Sequence, residues 1–322
     1  MDLDIVFLGT SASTPTARRA PAALLVRRGG ERLLFDCAEG TQRQLMRSSL
    51  GLPDLEEIFL THFHADHTLG LPGMLKTFAL RQRELPLTVY GPPGVRDLMA
   101  DLRRVYGRLS YEVRIEEVRP GEALERDGHR ILVFPVHHGV ASVGYALDED
   151  DRPGRFDLET ADALGVPEGP ERGALQRGES ITLDDDRVVT PDMVLGATRP
   201  GRRIVIAGDT APVETVQVLS EGADVLVHEA TFSEEERERA QETLHSTAKQ
   251  AAEIAAAAKV RLLALTHISP RYFGGEIADE ARAVFPATVV PRDFDVIDVP
   301  FAERGEPTLI KNGARPERAT AA

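Results

Sequence analysis

A single cysteine, Cys37, stands in 322 residues, which excludes an intramolecular disulfide framework and suits a reducing cytosol. Set within Leu33-Leu-Phe-Asp-Cys-Ala38, it reads as a small buried hydrophobe rather than a nucleophile. No apolar run approaches the length that crosses a bilayer. The acidic opening Met1-Asp-Leu-Asp-Ile-Val-Phe7 enters a strand pattern at once, so no signal peptide is expected. Lysine is confined to positions 76, 249, 259 and 311, and the net charge is −14. That excess of carboxylates argues against a polyanionic partner for the chain as a whole, because generic nucleic-acid binders are basic. It does not fix the sign of any one face, least of all a face that holds cations. With 42% hydrophobic residues, the chain is long enough to bury a sizeable core.

Against those absences stands one dense cluster. His62, His64, Asp66 and His67 lie within six positions in Leu60-Thr-His-Phe-His-Ala-Asp-His-Thr-Leu-Gly70. As packing this makes little sense, because each group would need desolvation and a hydrogen-bond partner. As a ligand set it makes good sense: imidazole and carboxylate suit zinc and its neighbours, and a catalytic zinc keeps one position open. His62 and His64, two apart on an extended tip, face the same side. Asp66 and His67 diverge and are placed to serve a second metal. The chain has only nine histidines, so a chance histidine-rich surface loop is a poor account of three beside an aspartate.

The cluster follows Ile58-Phe-Leu60, a buried strand pattern, and precedes an apolar helix pattern from Leu69 to Leu80. Strand patterns recur at Ile5–Leu8, Ala23–Val26, Arg32–Phe35, Leu87–Tyr90, Val113–Val118 and Arg130–Val136. They return at Arg203–Ala207, Ala223–Val227, Leu262–Thr266, Thr288–Val290 and Val296–Val299. Helices are expected at 40–49, 94–106, 213–219, 234–243, 246–259 (capped by Ser246 or Thr247) and 276–284. Two strand-rich halves with helices outside suggest an α/β fold of stacked sheets, a four-layer αββα sandwich.

Three more short polar groups follow buried strands: Val136-His-His-Gly139, Ala207-Gly-Asp-Thr210 and Thr266-His-Ile268. Strand ends are where α/β proteins collect a shared site. A carboxylate bridges two cations naturally, and Asp209 is the candidate, its alternative role being a helix N-cap or turn residue. Two metals ~3.5–4 Å apart orient a phosphate or carbonyl, stabilise a leaving oxygen and supply hydroxide near neutral pH.

His62-Phe-His-Ala-Asp-His67 with His138, Asp209 and His267 resembles the metallo-β-lactamase superfamily and its αββα fold. Within it the chain is similar to the ribonuclease Z family of tRNA 3′-processing endoribonucleases. Leu8-Gly-Thr-Ser-Ala-Ser-Thr-Pro-Thr16, Phe35-Asp-Cys-Ala-Glu-Gly-Thr-Gln42, Val227-His-Glu-Ala-Thr231, His245-Ser-Thr247 and Leu265-Thr-His-Ile-Ser-Pro-Arg271 carry that second likeness. The resemblance implies two zinc ions per chain, with manganese or cobalt as possible substitutes. One zinc is expected on His62, His64 and His138, the other on Asp66, His67 and His267, with Asp209 bridging. It also implies that Asp66 accepts the proton as metal-bound hydroxide attacks the phosphodiester of a precursor tRNA, and that His245, oriented by Glu229, protonates the leaving oxygen. His137 is the less probable ligand of its pair, and His228 reads as structural. A cytoplasmic homodimer is implied as well. Two positions depart from the family pattern: Ala20 stands where the family has Asn, and Ala38 where it has Gly.

From Asp148 to about Pro200 the chain is rich in Gly, Pro and charge. This stretch, 148–200, is expected to be a protruding arm with little core of its own, inserted in one metallo-hydrolase domain spanning 1–322. It resembles the family's exosite for the tRNA elbow. Its carboxylates at least equal its arginines, so a phosphate grip would fall to Arg152, Arg155, Arg172 and Arg177 or to backbone amides. Residues 307–322 are expected to be a flexible tail. The alternatives are a phosphodiesterase or lactonase for small molecules on the same scaffold, and an RNA-binding protein without chemistry. The filled ligand positions speak against the last.

Overall fold

The computed structural model describes residues 1–48, 50–52 and 55–311. Strands β1 (Leu3–Gly9), β2 (Ala23–Arg28) and β3 (Glu31–Phe35) form an antiparallel meander. Helix α1 (Thr41–Arg47), β4 (Glu57–Phe59), α2 (Ala65–Thr68), α3 (Leu71–Leu80), β5 (Leu87–Gly91), α4 (Val95–Tyr106) and β6 (Val113–Glu117) extend it. From β3 to β6 these strands are parallel. The chain then starts a second sheet with the antiparallel strands β7 (Ala123–Arg126), β8 (His129–Pro135) and β9 (Val143–Glu149). It leaves that sheet through α5 (Leu158–Leu164), α6 (Pro170–Gln176), β10 (Ile181–Thr182), β11 (Val188–Val189) and α7 (Pro191–Val194).

It re-enters as β12 (Arg203–Ile206), beside β9, and continues through α8 (Glu214–Leu219), β13 (Val225–Glu229), α9 (Arg237–Thr243) and α10 (Ala248–Ala258). Strand β14 (Leu262–Thr266), α11 (Gly274–Arg282) and β15 (Thr288–Val289) complete a parallel half-sheet. Strands β16 (Val296–Asp298) and β17 (Thr308–Ile310) return to the first sheet. The orders are β17-β16-β1-β2-β3-β4-β5-β6 and β15-β14-β13-β12-β9-β8-β7.

The period of two along each strand makes the layers. Ile5, Phe7, Leu33 and Phe35 of one sheet meet Ile131, Val133, Tyr145, Leu147, Ile204 and Ile206 of the other in a shared core. The alternate residues Val6, Leu8, Leu34 and Ile58 pack beneath α1, α3 and α4. Val205, Leu226, Leu263 and Leu265 pack beneath α8, α10 and α11. This is the αββα sandwich. Alanines 248, 251, 252, 255 and 258 are buried under α10, so small side chains let that helix lie close on the sheet. Its cap is Thr247, whose hydroxyl accepts from the Gln250 amide in a reciprocal capping box.

Three expectations need correction, and one strand went unread. The helix after the histidine cluster starts at Leu71, because Ala65–Thr68 forms a separate helical turn, so Asp66 and His67 sit on a helix rather than a loop. The arm does have a core: Ala161, Val166, Leu175, Val189 and Val194 are buried against one another. Thr308–Ile310 pairs with β16 as an edge strand where a flexible tail was expected, and the remainder of that expectation, from residue 312 on, lies outside the described residues. Strand β9 was not read at all, since Gly144 and Asp148 blur its alternation; Val143, Tyr145 and Leu147 nonetheless face the inter-sheet core.

Candidate metal centre

The parallel strands deliver their carboxyl ends to one edge of the sandwich, and the polar residues gather there. His62 follows β4, Asp209 follows β12, His267 follows β14, and His138 follows β8, the antiparallel neighbour of β9. His64 caps the short α2, whose first turn carries Asp66 and His67. Successive helical residues diverge by roughly 100°, so Asp66 and His67 point in different directions, and the His67 ring still lies 4.1 Å from that of His62. Gly208 holds φ +67°, and a Cβ there would stand 3.0 Å from Thr61 Cβ, so glycine lets the chain turn against β4 and present Asp209.

Five overlapping sets of three side chains stand close enough to hold a cation, and two of them match the expected ligand groups. The ring nitrogens of His62, His64 and His138 converge: His64 Nδ1 lies 3.0 Å from His62 Nε2 and 3.2 Å from His138 Nε2. Asp66, His67 and His267 form the second group, with Asp66 Oδ2 3.3 Å from His267 Nε2 and 3.8 Å from His67 Nε2. Asp209 Oδ2 stands between them, 3.4 Å from His67, 3.3 Å from His267 and 3.9 Å from His62. All seven expected ligands therefore lie together.

A second layer of hydrogen bonds aims these rings, and it is nearly symmetric. His67 Nδ1 donates to Asp36 Oδ2 at 2.8 Å, while His62 Nδ1 donates at 3.0 Å to Thr61 Oγ1, which itself donates to Asp36. Across the site, His245 Nδ1 donates to Glu229 Oε1 at 2.8 Å, and His267 Nδ1 donates to Thr231 Oγ1, also at 2.8 Å. Thr231 Oγ1 donates in turn to Glu229 Oε2 at 2.6 Å. Each carboxylate thus fixes one imidazole directly and another through a threonine, which turns Nε2 of His62, His67 and His267 inward, where a cation would meet it. His138 Nδ1 donates to the Leu244 carbonyl at 3.1 Å, and the Ser13 amide donates to Asp66 Oδ2 at 2.7 Å.

Electrostatics agree with a cation-binding role. Burial, reinforced by His67, pushes His62 well below the ordinary imidazole range, keeping it in the neutral, ligating form. Burial opposes ionisation of Asp209, yet His267 and His67 hold it well below the usual carboxylate range; Asp66 is lowered in the same way by His267 and His67. Burial also disfavours charge on His245, but Glu229 overrides it and raises the imidazole to about 9. His67 Nε2 is buried without any hydrogen-bond partner and faces both Asp66 and Asp209. Burial disfavours charge on His67, yet Asp209 and Asp36 raise it well above the ordinary imidazole range, so its Nε2 holds either a proton or a cation between the two carboxylates.

His137 is exposed and stays out of the ligand groups; His228 is buried in β13, donating Nδ1–H to the Glu229 carbonyl, apart from them. Cys37 is buried, and burial pushes its thiol pKa up, as a packing role requires. Ala38 does not have positive φ, so the family's glycine is not needed there. Sequence reasoning missed Asp36, Thr61, Thr231 and the Leu244 carbonyl. Only Asp36 carried a readable signal, an aspartate just past a buried strand like the other ligands.

The fold, with its cluster at the strand ends, defines a metallo-hydrolase. Residues 17–171 match the metallo-beta-lactamase superfamily and residues 174–268 a beta-lactamase superfamily domain. Over 311 residues the chain is 46% identical to ribonuclease Z of Halorubrum lacusprofundi, covering 95% of this chain and all of that one. It is 48% identical to ribonuclease Z of Myxococcus xanthus over 271 residues, 84% of this chain and 88% of the relative. The crystal structure of the short form of human tRNase Z superposes with a TM-score of 0.67 at 28% identity, covering 92% of this chain and 99% of the human one. The chain belongs to the ribonuclease Z family.

Proposed function

We propose that the chain is an endoribonuclease that removes the 3′ trailer from precursor tRNA and leaves a 3′-hydroxyl on the tRNA. Whole-length likeness to ribonuclease Z carries this reading, at 46% identity over 95% of the chain, because the ligand cluster alone would serve a small-molecule hydrolase equally well. The cofactor is a metal; we assign two zinc ions, one to His62, His64 and His138, the other to Asp66, His67 and His267, with Asp209 shared. When bound, such ions polarise the phosphodiester and lower the pKa of water. The protein's residues do the rest. Asp66, ionised and held by the Ser13 amide, accepts a proton from the attacking water. His245, held protonated by Glu229, donates one to the leaving 3′-oxygen.

The arm's contact with RNA has a narrower basis than the sequence suggested. Arg172 pairs with Asp162 and Arg177 with Glu179, while Arg152 pairs with Glu303 outside the arm, so each of these three would have to share or exchange a carboxylate to grip phosphate. Arg155 is exposed and has no carboxylate partner among the described residues, and we assign the phosphate contact to it. The working assembly is proposed to be a cytoplasmic homodimer, for which sedimentation should give twice the 35.2 kDa chain mass. Among the described residues no helix is long and apolar enough to cross a membrane.

The direct test incubates purified protein with a 3′-extended precursor tRNA, alongside Asp66→Ala and His67→Ala. The wild type should release the trailer in one cut and hold about two zinc ions per chain, as a two-metal site requires. Intact cleavage in either variant would refute the assigned mechanism.

A further inference from the structure

The arm is rooted far from the chemistry. It leaves at the end of β9 and returns at the start of β12, whereas Asp209 lies six residues further along. At ~3.3 Å per residue, the root and the ligand cluster are about 20 Å apart. Any substrate held by both must find them in fixed register. Two backbone crossings close the stalk, with Arg152 and Arg199 exchanging amide-to-carbonyl bonds at 2.7 and 2.9 Å and Phe156 bridging Leu195. A two-stranded stalk of this kind is free to bend unless something outside it holds it.

Something does, and it comes from the other sheet. Glu303, in the turn between β16 and β17, accepts from Arg152 Nη1 at 2.9 Å and Nη2 at 3.1 Å, and from Arg199 Nη1 at 3.3 Å. One carboxylate thereby clamps both sides of the stalk. Beside it, the Phe301 ring carries the Arg152 guanidinium 3.4 Å from its centroid and that of Arg202 at 4.1 Å. Arg202 is anchored in turn: it donates to buried Glu149 at 2.7 and 2.8 Å and to the Val299 carbonyl at 3.0 Å. Glu149 also accepts from Arg28 of β2 at 2.9 Å. Planar guanidinium groups stacked on a ring and forked onto carboxylates form a directional contact, not merely an attractive one.

We propose that Phe301 and Glu303 are specificity-determining positioning residues: they latch the arm's stalk to the first sheet and so set where the arm meets a large RNA while the scissile bond sits at the metal cluster. This rests on the precursor-tRNA reading and on the arm contacting RNA remote from the cut. Neither residue touches the reacting atoms, so the latch acts on binding of the large substrate alone.

The test compares three substrates in full-length protein: a precursor tRNA, a 3′-extended acceptor-stem hairpin lacking the elbow, and bis(p-nitrophenyl) phosphate. Wild type should show a lower KM for the precursor than for the hairpin. Glu303→Gln and Phe301→Leu should each raise KM for the precursor about tenfold, the loss expected when a second attachment point falls out of register. KM for the hairpin, kcat and turnover of the small ester should not move. Phe301→Tyr, which keeps the ring, should behave as wild type, and the Arg152→Ala/Glu303→Ala pair should cost no more than its larger single. If wild type does not distinguish precursor from hairpin, the exosite reading falls and the latch with it. If wild type distinguishes them and both latch variants still do so fully, the latch alone is overturned. A loss shared equally by all three substrates would also overturn it, marking a purely structural role.

Discussion

Replacing Asp36 by asparagine should strip the centre of metal without unfolding the protein. Asp36 accepts from the Thr61 amide at 2.8 Å and from His67 Nδ1 at 2.8 Å, with the Thr61 hydroxyl at 3.0 and 3.1 Å. Asparagine has nearly the same shape, and it tolerates the left-handed backbone that Asp36 adopts at φ +57° better than most residues. Its oxygen can keep the Thr61 amide, which leaves its NH2 against His67 Nδ1. Two donors cannot face each other, so His67 must move its proton to Nε2, the nitrogen directed at Asp66 and Asp209. The ligand lone pair is then blocked. Loss of such an outer partner costs about tenfold to about a hundredfold in metal affinity, or about 1.4 to 2.7 kcal/mol. Metal content after dialysis against a graded chelator series, read beside a thermal melt, gives the measure. Asp36→Asn retaining wild-type metal content through the whole series would refute the tautomer argument.

Glu229→Gln should move the alkaline limb of cleavage. The acid His245 is active while protonated, so wild-type activity falls as pH rises through about 9, and without the carboxylate that fall should shift toward the ordinary imidazole range in a pH–kcat profile. Glu149→Ala leaves buried Arg202 without its carboxylate and Arg28 with Glu31 alone, and should destabilise the fold by about 3–5 kcal/mol in urea titration. Burial opposes charge on Glu149, but Arg202 and Arg28 lower its folded pKa, so its stabilisation is present above the unfolded value near ~4.3 and is lost as pH falls through the folded one. Acid unfolding of Glu149→Gln should therefore show a shallower pH dependence than wild type. Arg155→Ala should raise KM for precursor tRNA and reduce the salt dependence of binding by about one counterion, with small-ester turnover unchanged.

The layers and the polar cluster were legible because both follow local rules. A buried run such as Leu262–Leu265 followed by Thr266-His267 places a polar residue at a strand end, and the structure brings His62, His138 and Asp209 to the same edge in the same way. What escaped was non-local. Nothing near Thr231 indicates that its hydroxyl would join Glu229 to His267, a contact spanning 36 residues. The arm's core escaped for a related reason: Ala161, Leu175 and Val194 each sit in polar surroundings and become a core only when three short helices meet. The partners of the arm arginines escaped because charge in a sequence carries no partner; Glu303 lies 151 positions from Arg152.

Backbone conformation adds a last constraint on how the centre is built. Eight non-glycine residues have left-handed φ among the described residues: Ser13, Asp36, Gln82, Asp186, Leu244, Lys259, His267 and Phe294. Four of them make the site. Ser13 supplies the amide to Asp66, Asp36 the carboxylate to His67, Leu244 the carbonyl to His138, and His267 is itself a member of the cluster. Each such residue costs of order 1–3 kcal/mol unless its surroundings hold it. Here the surroundings are the other members: Asp36 is held by Thr61 and His67, and His267 by Thr231, which Glu229 holds in turn. Strain at one member is therefore compensated by bonds to another, so the centre forms as a unit. Conservative changes to the outer residues should then weaken both metal positions together, because no ligand group is supported by its own strand alone.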